Sequence, residues 1–196
     1  MTTLKSICVY CGSNTGAKPE YAATATALGT ALAARGLTLV YGGGKVGLMG
    51  VVADAVLAEG GKVIGVIPEF LALKEVAHAG LTELIVVTSM HERKAEMERL
   101  SDGFIALPGG IGTMEELFEI WTWSQLGQHK KPCGLLDAAD YYADLNAFLD
   151  RMAADGFVNG DHRAMLYRRE DADELLDIFA AYKAPEADIR IKVIQT

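Results

Sequence analysis

The segment from Pro108 to Glu116, with the sequence PGGIGTMEE, combines a glycine-rich turn, a hydroxyl group and two carboxylates. It follows the apolar run from Phe104 to Leu107 and precedes a helical pattern from Leu117 to Leu126, which predicts a strand, a turn and a helix N-terminus. Glycines let a backbone approach a ligand closely, and the first N–H groups of a helix attract anions. We therefore expect a phosphate site here. Its predicted ligands are Gly109, Gly110, Gly112 and Thr113.

The two carboxylates of this segment, Glu115 and Glu116, are predicted to lie in the first turn of the helix. Helix polarity favours acids there, but a dianionic phosphate would repel them, so acids beside a phosphate site indicate chemistry next to the phosphate. A carboxylate can stabilise an oxocarbenium-like ribose or activate water, as cleavage of a nucleotide's C1'–N9 bond requires. The structural alternative is that these glutamates are ordinary partners of the helix dipole.

A second helix is predicted to carry two basic residues. Ser89 and Glu92 have the spacing of a capping box, which places Arg93 and Lys94 near the start of this helix. The planar guanidinium of Arg93 could hold the Glu116 carboxylate or the phosphate, and its charge would favour the ionised acid. The alternative is a solvated basic face.

Strand-like and helix-like segments alternate along the chain, and the strands are nearly continuous apolar runs. Such strands are buried on both faces, which predicts an α/β fold: a doubly wound, Rossmann-like, mostly parallel sheet flanked by helices. We expect a single domain over residues 1–196, with C-terminal helices and a tail from about residue 160. The predicted strands are 6–10, 37–41, 62–67, 83–88, 103–107 and 132–136.

Another glycine loop follows the second predicted strand. Gly42, Gly44 and Gly47 have the GxGxxG spacing, and Glu69 lies at about the distance expected of a ribose-binding acid. The pattern is weak, because Glu69 follows Pro68 and the motif does not follow the first strand; the glycines could serve turning and packing instead. Carboxyl ends of parallel strands share one edge, so two glycine loops there favour a nucleotide site. The predicted contacts outside the PGG segment include Gly12, Ser13, Gly43 and Gly44.

Composition and charge exclude several classes of protein. A formal net charge of -8 disfavours nucleic-acid binding. No apolar run approaches the roughly 20 residues that span a bilayer, so we expect no membrane partner and a cytoplasmic protein. Cys8 and Cys11 form a CxxC without a second pair, which favours structural thiols. His91 and Glu92 begin like a zinc motif, but Ala95 replaces its second histidine, so we predict no metal; nor do we expect a cofactor.

The motifs YGGG with GLMG (residues 41–50), MHERK (90–94) and PGGIGTMEE together resemble the LONELY GUY (LOG) proteins, cytokinin riboside 5'-monophosphate phosphoribohydrolases long mislabelled as lysine decarboxylases. The resemblance covers about residues 5–160. It implies a Rossmann-like homodimer that hydrolyses the N-glycosidic bond of N6-substituted AMP, and often of AMP, to free base and ribose 5-phosphate. It implies Arg93 and Glu116 as the catalytic pair. The implied substrate contacts are Glu75, Arg93, Lys94, Gly109, Gly110, Ile111, Gly112, Thr113, Met114, Glu115 and Thr122.

The sequence leaves two other function classes open. A pyridoxal-phosphate decarboxylase needs a Schiff-base lysine and normally a much larger two-domain chain. A non-catalytic nucleotide or molybdenum-cofactor binding protein would keep the glycine loops but would not need a glutamate and arginine pair. This binding protein is the main alternative.

The helix after the PGG segment also carries more apolar residues than one buried stripe requires. Large aromatic residues favour interface cores, so we predict a homodimer with this helix at or near the interface. The alternative is burial by the C-terminal helices. The apolar residues concerned are Met114, Leu117, Phe118, Ile120, Trp121, Trp123 and Leu126.

Overall fold

The computed structural model describes residues 4–72 and 77–184, and these contain seven strands and eight helices. The strands are β1 (Ser6–Tyr10), β2 (Thr38–Tyr41), β3 (Val63–Pro68), β4 (Glu83–Val87), β5 (Phe104–Ala106), β6 (Cys133–Leu136) and β7 (Leu166–Arg169). The helices are α1 (Pro19–Ala34), α2 (Gly47–Ala58), α3 (Glu69–Ala72), α4 (Met90–Arg99), α5 (Ile111–Gln125), α6 (Ala143–Ala154), α7 (Gly160–Arg163) and α8 (Ala172–Ala181). Within the described ranges, none of these helices has the length and apolar character to cross a membrane.

The strands form one sheet in the order β4-β3-β2-β1-β5-β6-β7, and every pairing is parallel. The predicted doubly wound α/β fold is therefore confirmed. The chain builds outward from β1 to β4 and then returns to place β5 on the other side of β1. Loops that follow the two strands flanking such a reversal diverge and leave a crevice, which is where ligands bind in this class of sheet. The loops after β1 and β5 flank that point.

Two apolar layers cover the sheet. Alternate residues of β1 enter different layers, Ile7 with the helices α1, α2 and α8, and Cys8 with α4, α5 and α6. Cys8 and Cys11 accordingly lie in different layers, and both are buried free thiols. Burial raises the pKa of each thiol well above its ordinary range. This environment is that of structural cysteines.

The start of α5 differs from the sequence prediction. Its N-cap is Gly110 and its first helical residue is Ile111, so Glu115 and Glu116 lie in the second turn and not in the first. The prediction was wrong because Ile111, Gly112 and Thr113 were assigned to the turn, whereas they form the first turn of the helix. The first N–H groups of α5 therefore face the loop without a carboxylate in the same turn.

The segment 160–169 also differs from the prediction, which placed no strand there. It forms α7 and then β7, an edge strand that pairs in parallel with β6. Leu166 is buried, but Arg168 and Arg169 give the strand a polar sequence. Since the side chain of Arg168 reaches Asp137 after β6, long-range contacts define this strand more than its own residues do.

Candidate active site

Backbone hydrogen bonds join the loops at the carboxyl edge of the sheet. The N–H of Gly12, after β1, donates to the carbonyl of Pro108 after β5 at 3.1 Å. The carbonyl of Gly12 accepts from the N–H of Leu48 in α2 at 3.0 Å. A Cβ on Gly12 would lie 2.9 Å from the carbonyl oxygen of Asn14 and 3.3 Å from the Cα of Gly109. Glycine at position 12 therefore lets the backbones of these loops come into direct contact.

A pocket of about 250 Å³ opens between the loops after β1 and β5. It lies at the reversal of strand order, where the fold class places its ligands. Four predicted substrate contacts line it together with two aromatic side chains that the sequence did not indicate. These residues are Gly12, Ser13, Gly109, Gly110, Tyr21 and Tyr141.

The loop of residues 108–110, called the PGG loop below, packs tightly against the first turn of α5. A Cβ on Gly109 would lie 2.1 Å from Oγ1 of Thr113, and Thr113 itself is buried. Position 109 therefore requires glycine for this contact. By contrast, a Cβ on Gly110 or Gly112 would meet no atom of the described residues within 4 Å. The backbone of these two glycines is open to a ligand.

Capping interactions fix the start of α4. The Oγ of Ser89 accepts the N–H of Glu92 at 3.1 Å, as the predicted capping box requires. The Glu92 carboxylate turns to Thr88 instead of Ser89, accepting its N–H and hydroxyl, each at 2.8 Å. These bonds lower the pKa of Glu92, the backbone one most. The cap fixes the first turn of α4, and Arg93 follows Glu92 in that helix.

Arg93 and Glu116 meet inside the protein. Arg93 is 7% exposed, and its Nη2 lies 3.8 Å from Oε1 of Glu116, whose side chain is 12% exposed. The solvated-face alternative for Arg93 is therefore wrong. Within the described residues, Nε of Arg93 is buried without a hydrogen-bond partner. A buried donor of this kind is rare in native proteins, and this one is available to an acceptor.

Gly42 makes room for the guanidinium. A Cβ at position 42 would lie 2.0 Å from Nη2 of Arg93 and 3.4 Å from the sulfur of Met49. The sequence indicated Gly42 as part of a GxGxxG pattern, and the structure gives it a different role: the absence of a side chain at position 42 leaves space for the guanidinium of Arg93. The pairing of a glycine after β2 with an arginine on α4 is a long-range contact without a local sequence signal.

Lys94 is bound by carboxylates on the facing helix. Its Nζ lies 2.5 Å from Glu115 and 2.9 Å from Glu119, and the residue is buried. Burial would lower the pKa of Lys94, but the hydrogen bonds to Glu115 and Glu119 outweigh it and raise that pKa. Lys94, a predicted substrate contact, is thus engaged by these two acids, of which Glu119 was not predicted.

The remaining predicted contacts are more scattered. Gly43 has a left-handed φ of +78°, and its carbonyl accepts the N–H of His78 at 3.0 Å, while Gly44 pairs with Ala77. Ile111 is 90% exposed at the tip of α5. Met114 is half-buried against the core. Thr122 lies roughly 13 Å along α5 from Thr113, and its hydroxyl donates to the carbonyl of Phe118. Glu75 lies outside the described residues.

Potential metal ligands do not cluster among the residues that the structure describes. In residues 4–72 and 77–184, no group of three or more His, Cys, Asp or Glu side chains is arranged to hold an ion. His91, the first residue of the incomplete zinc-type motif, is exposed on α4.

Comparison with known proteins gives a consistent result. The family model described as "Possible lysine decarboxylase" matches residues 49–179. The chain is 50% identical over 183 residues to a probable cytokinin riboside 5'-monophosphate phosphoribohydrolase of Oryza sativa subsp. japonica, covering 93% of this chain and 82% of that protein. It is 48% identical over 184 residues to the cytokinin riboside 5'-monophosphate phosphoribohydrolase of Rhodococcoides fascians, covering 93% and 91%.

Solved structures with the same fold are more distant in sequence. The molybdenum cofactor carrier protein of Chlamydomonas reinhardtii superposes with a TM-score of 0.69 at 20% identity, over 91% of this chain and 99% of that one. The molybdenum cofactor binding protein of Rippkaea orientalis gives 0.68 at 21% identity, over 92% and 98%. Identities this low establish the fold and leave function to the closer relatives. The chain belongs to the LONELY GUY family of cytokinin riboside 5'-monophosphate phosphoribohydrolases, whose family model bears the older decarboxylase description.

Proposed function

We propose that this protein hydrolyses the N-glycosidic bond of cytokinin riboside 5'-monophosphates, and of AMP, to free base and ribose 5-phosphate. The observation that carries the proposal is the buried pair of Arg93 and Glu116 beside a glycine loop at a helix N-terminus. Relatives of 48–50% identity that bear this activity in their names support it. A binding protein would not need a buried guanidinium and carboxylate pair, so this alternative is not favoured.

The 5'-phosphate is proposed to bind at the PGG loop. The first N–H groups of α5 have no partners within the helix, and the backbone at Gly110 and Gly112 is open. The buried hydroxyl of Thr113 lies at the same turn. Binding energy from the phosphate would fix the ribose and so lower the barrier at C1'.

Glu116 is proposed to act at the glycosidic carbon. As the bond to the base breaks, positive charge develops on the ribose, and a carboxylate nearby stabilises it or removes a proton from the attacking water. The guanidinium of Arg93 lies beside the Glu116 carboxylate, and its unsatisfied Nε can donate to an oxygen of the substrate. Lys94 pairs with Glu115 and Glu119 and offsets one of their two negative charges, which reduces repulsion of the phosphate.

A homodimer is proposed as the functional form. The inner face of α5 is filled by its own chain, since Leu117, Ile120 and Trp121 are buried. Leu126 is nevertheless 56% exposed, and Ile111 is 90% exposed at the other end. Apolar side chains exposed at both ends of one helix favour a second covered surface, which a partner chain would supply.

Product analysis tests the proposed activity. The purified protein is incubated with AMP and with isopentenyladenosine monophosphate, and free base and ribose 5-phosphate are quantified by chromatography. We expect both products in equal amounts. Glu116→Gln should bind nucleotide but lose hydrolysis by several orders of magnitude, because the amide keeps the shape and removes the charge.

A matched control separates charge from expression effects. Glu20→Gln removes an exposed carboxylate from the first turn of α1 and should hydrolyse at the wild-type rate. Near-wild-type turnover in Glu116→Gln would remove this residue from the mechanism. Absence of free base with both nucleotides would contradict the proposed function.

A further inference from the structure

Four successive carbonyl groups, from Leu107 to Gly110, each accept a hydrogen bond. The donors are, in order, the hydroxyl of Tyr142 (2.6 Å), the N–H of Gly12 (3.1 Å), the hydroxyl of Tyr141 (2.5 Å) and the N–H of Met114 (3.2 Å). A carbonyl oxygen that faced an anion would repel it. A run of engaged carbonyls therefore keeps the acceptors of the loop directed away from a bound phosphate.

One peptide unit in this run can rotate easily. It joins Gly109 to Gly110, and glycines on both sides remove the Cβ contacts that resist rotation of a peptide plane. The C=O and N–H of a trans peptide point in opposite directions. Rotation by about 180° would therefore put the Gly109 carbonyl where the Gly110 N–H had been. A donor to phosphate would become a repelling acceptor.

We propose that Tyr141 is a positioning residue for phosphate binding, because its hydroxyl holds the Gly109–Gly110 peptide with the carbonyl engaged and the N–H available to an anion. Tyr141 lines the pocket between the loops and is 42% exposed. Its hydroxyl is the sole side-chain donor to the Gly109 carbonyl in the described structure. The proposal rests on the proposed binding of a 5'-phosphate at this loop.

The protein fixes the ring of Tyr141 from two sides. The ring lies edge-on to Tyr21 with centroids 5.6 Å apart, and edge-on to Tyr142 at 5.0 Å. The preceding residues Ala139 and Asp140 have left-handed φ angles of 49° and 58°. Two consecutive non-glycine residues in this region cost energy, and such strain is found where function requires a particular geometry.

A network from the sheet edge supports the strained turn. Arg168 on β7 binds Asp137 through Nε at 2.6 Å and Asp140 at 2.9 Å. Asp137 is buried and also accepts the N–H of Tyr142 at 3.1 Å. Lys18 donates to the carbonyl of Ala139 at 3.4 Å. The edge strand that the sequence did not predict thus anchors the turn that delivers Tyr141 to the loop.

Tyr141→Phe is the direct test, because it removes the hydroxyl and keeps the ring packing. The loss of one hydrogen bond predicts a KM for AMP about 3- to 10-fold higher, with kcat changed less and the melting temperature near that of the wild type. Calorimetric titration with inorganic phosphate should show the same factor in Kd. Tyr167→Phe, on β7 outside the pocket, serves as the control and should leave both constants unchanged.

A double-mutant cycle with Gly110→Ala tests the rotation itself. Position 110 has φ of -90°, which alanine tolerates, but the rotated peptide would require a positive φ there, which alanine resists. Tyr141→Phe should therefore raise the phosphate Kd less in the Gly110→Ala background than in the wild type.

The outcomes separate this inference from the proposed function. A phosphate Kd within twofold of the wild type in Tyr141→Phe, or an equal effect in both backgrounds, would overturn the role of Tyr141. If the wild type binds phosphate but releases no base, the proposed function fails, and the phosphate titrations still decide the role of Tyr141.

Discussion

Gly42→Ala should inactivate the protein by displacing Arg93. The backbone of Gly42 is outside the left-handed region, so alanine adds a methyl group without conformational strain. That methyl carbon would lie 2.0 Å from Nη2 of Arg93, whereas ordinary contact begins near 3.4 Å. The guanidinium must therefore move by about 1.4 Å. It is the end of a flexible side chain, so it will move before the backbone does.

The size of the effect follows from the geometry of the pair. Nη2 already lies 3.8 Å from Glu116, so a shift of this size changes the relation of guanidinium, carboxylate and substrate. A misplacement of about 1 Å in an active site can cost about 100-fold in rate. We expect kcat/KM for AMP to fall by about 100-fold, with a cooperative thermal transition retained.

Steady-state kinetics and thermal melting together provide the assay. Gly160→Ala is the matched control, because a Cβ at position 160 meets no described atom within 4 Å and the residue is exposed. It should keep wild-type kcat/KM. If kcat/KM of Gly42→Ala also stays within threefold of the wild-type value, then Arg93 does not need the space that Gly42 leaves for it. The reasoning on the catalytic pair is then refuted.

Three further predictions concern assembly, thiols and acid stability. Light scattering at micromolar concentration should give twice the mass of one chain, and a fully active monomer would contradict the dimer. The three cysteines are buried with raised pKa values, so a thiol reagent at pH 8 should label them upon unfolding and not in the native protein. Burial lowers the pKa of His129, whose Nε2 donates to the Ile120 carbonyl while Nδ1 accepts the Lys131 N–H. The unfolded chain then takes up the proton first, so the free energy of unfolding should fall as pH drops below about 6.5. His129→Gln should show a shallower decline, and an unchanged pH slope would count against this group.

Strong local signals explain what the sequence could predict of the fold. The buried strands are continuous apolar runs separated by helical segments, and this alternation predicts that the strands run parallel. The strand β7 escaped prediction because half of it is arginine and its position depends on β6 and Asp137. The start of α5 was misplaced because Ile111 and Gly112 are poor indicators of a first helical turn.

The candidate site shows the same division between local and distant signals. The PGG segment and the residues Arg93 and Glu116 were indicated by motifs, and the structure brings the two side chains within 3.8 Å, although their catalytic role stays a prediction. Tyr141 gave no such signal, and the motif that contains Gly42 did not indicate its contact with Arg93, because each of these residues acts on one more than 30 positions away. Contacts of this kind are created by the topology of the sheet.

The arrangement of charge between α4 and α5 suggests how an acid can work beside a phosphate. Glu115 and Glu119 are four residues apart, so they share one face of α5 and both reach Lys94. Glu116 is turned about 100° from Glu115 around the helix and meets Arg93, the neighbour of Lys94. Three carboxylates and two cations leave a formal charge of -1. This net negative charge belongs to the group of Lys94, Glu115 and Glu119, whereas the charges of Glu116 and Arg93 cancel. Glu116 can therefore offer negative charge to the ribose while Arg93 limits its repulsion of the phosphate, a division that one cation shared by all three acids could not provide.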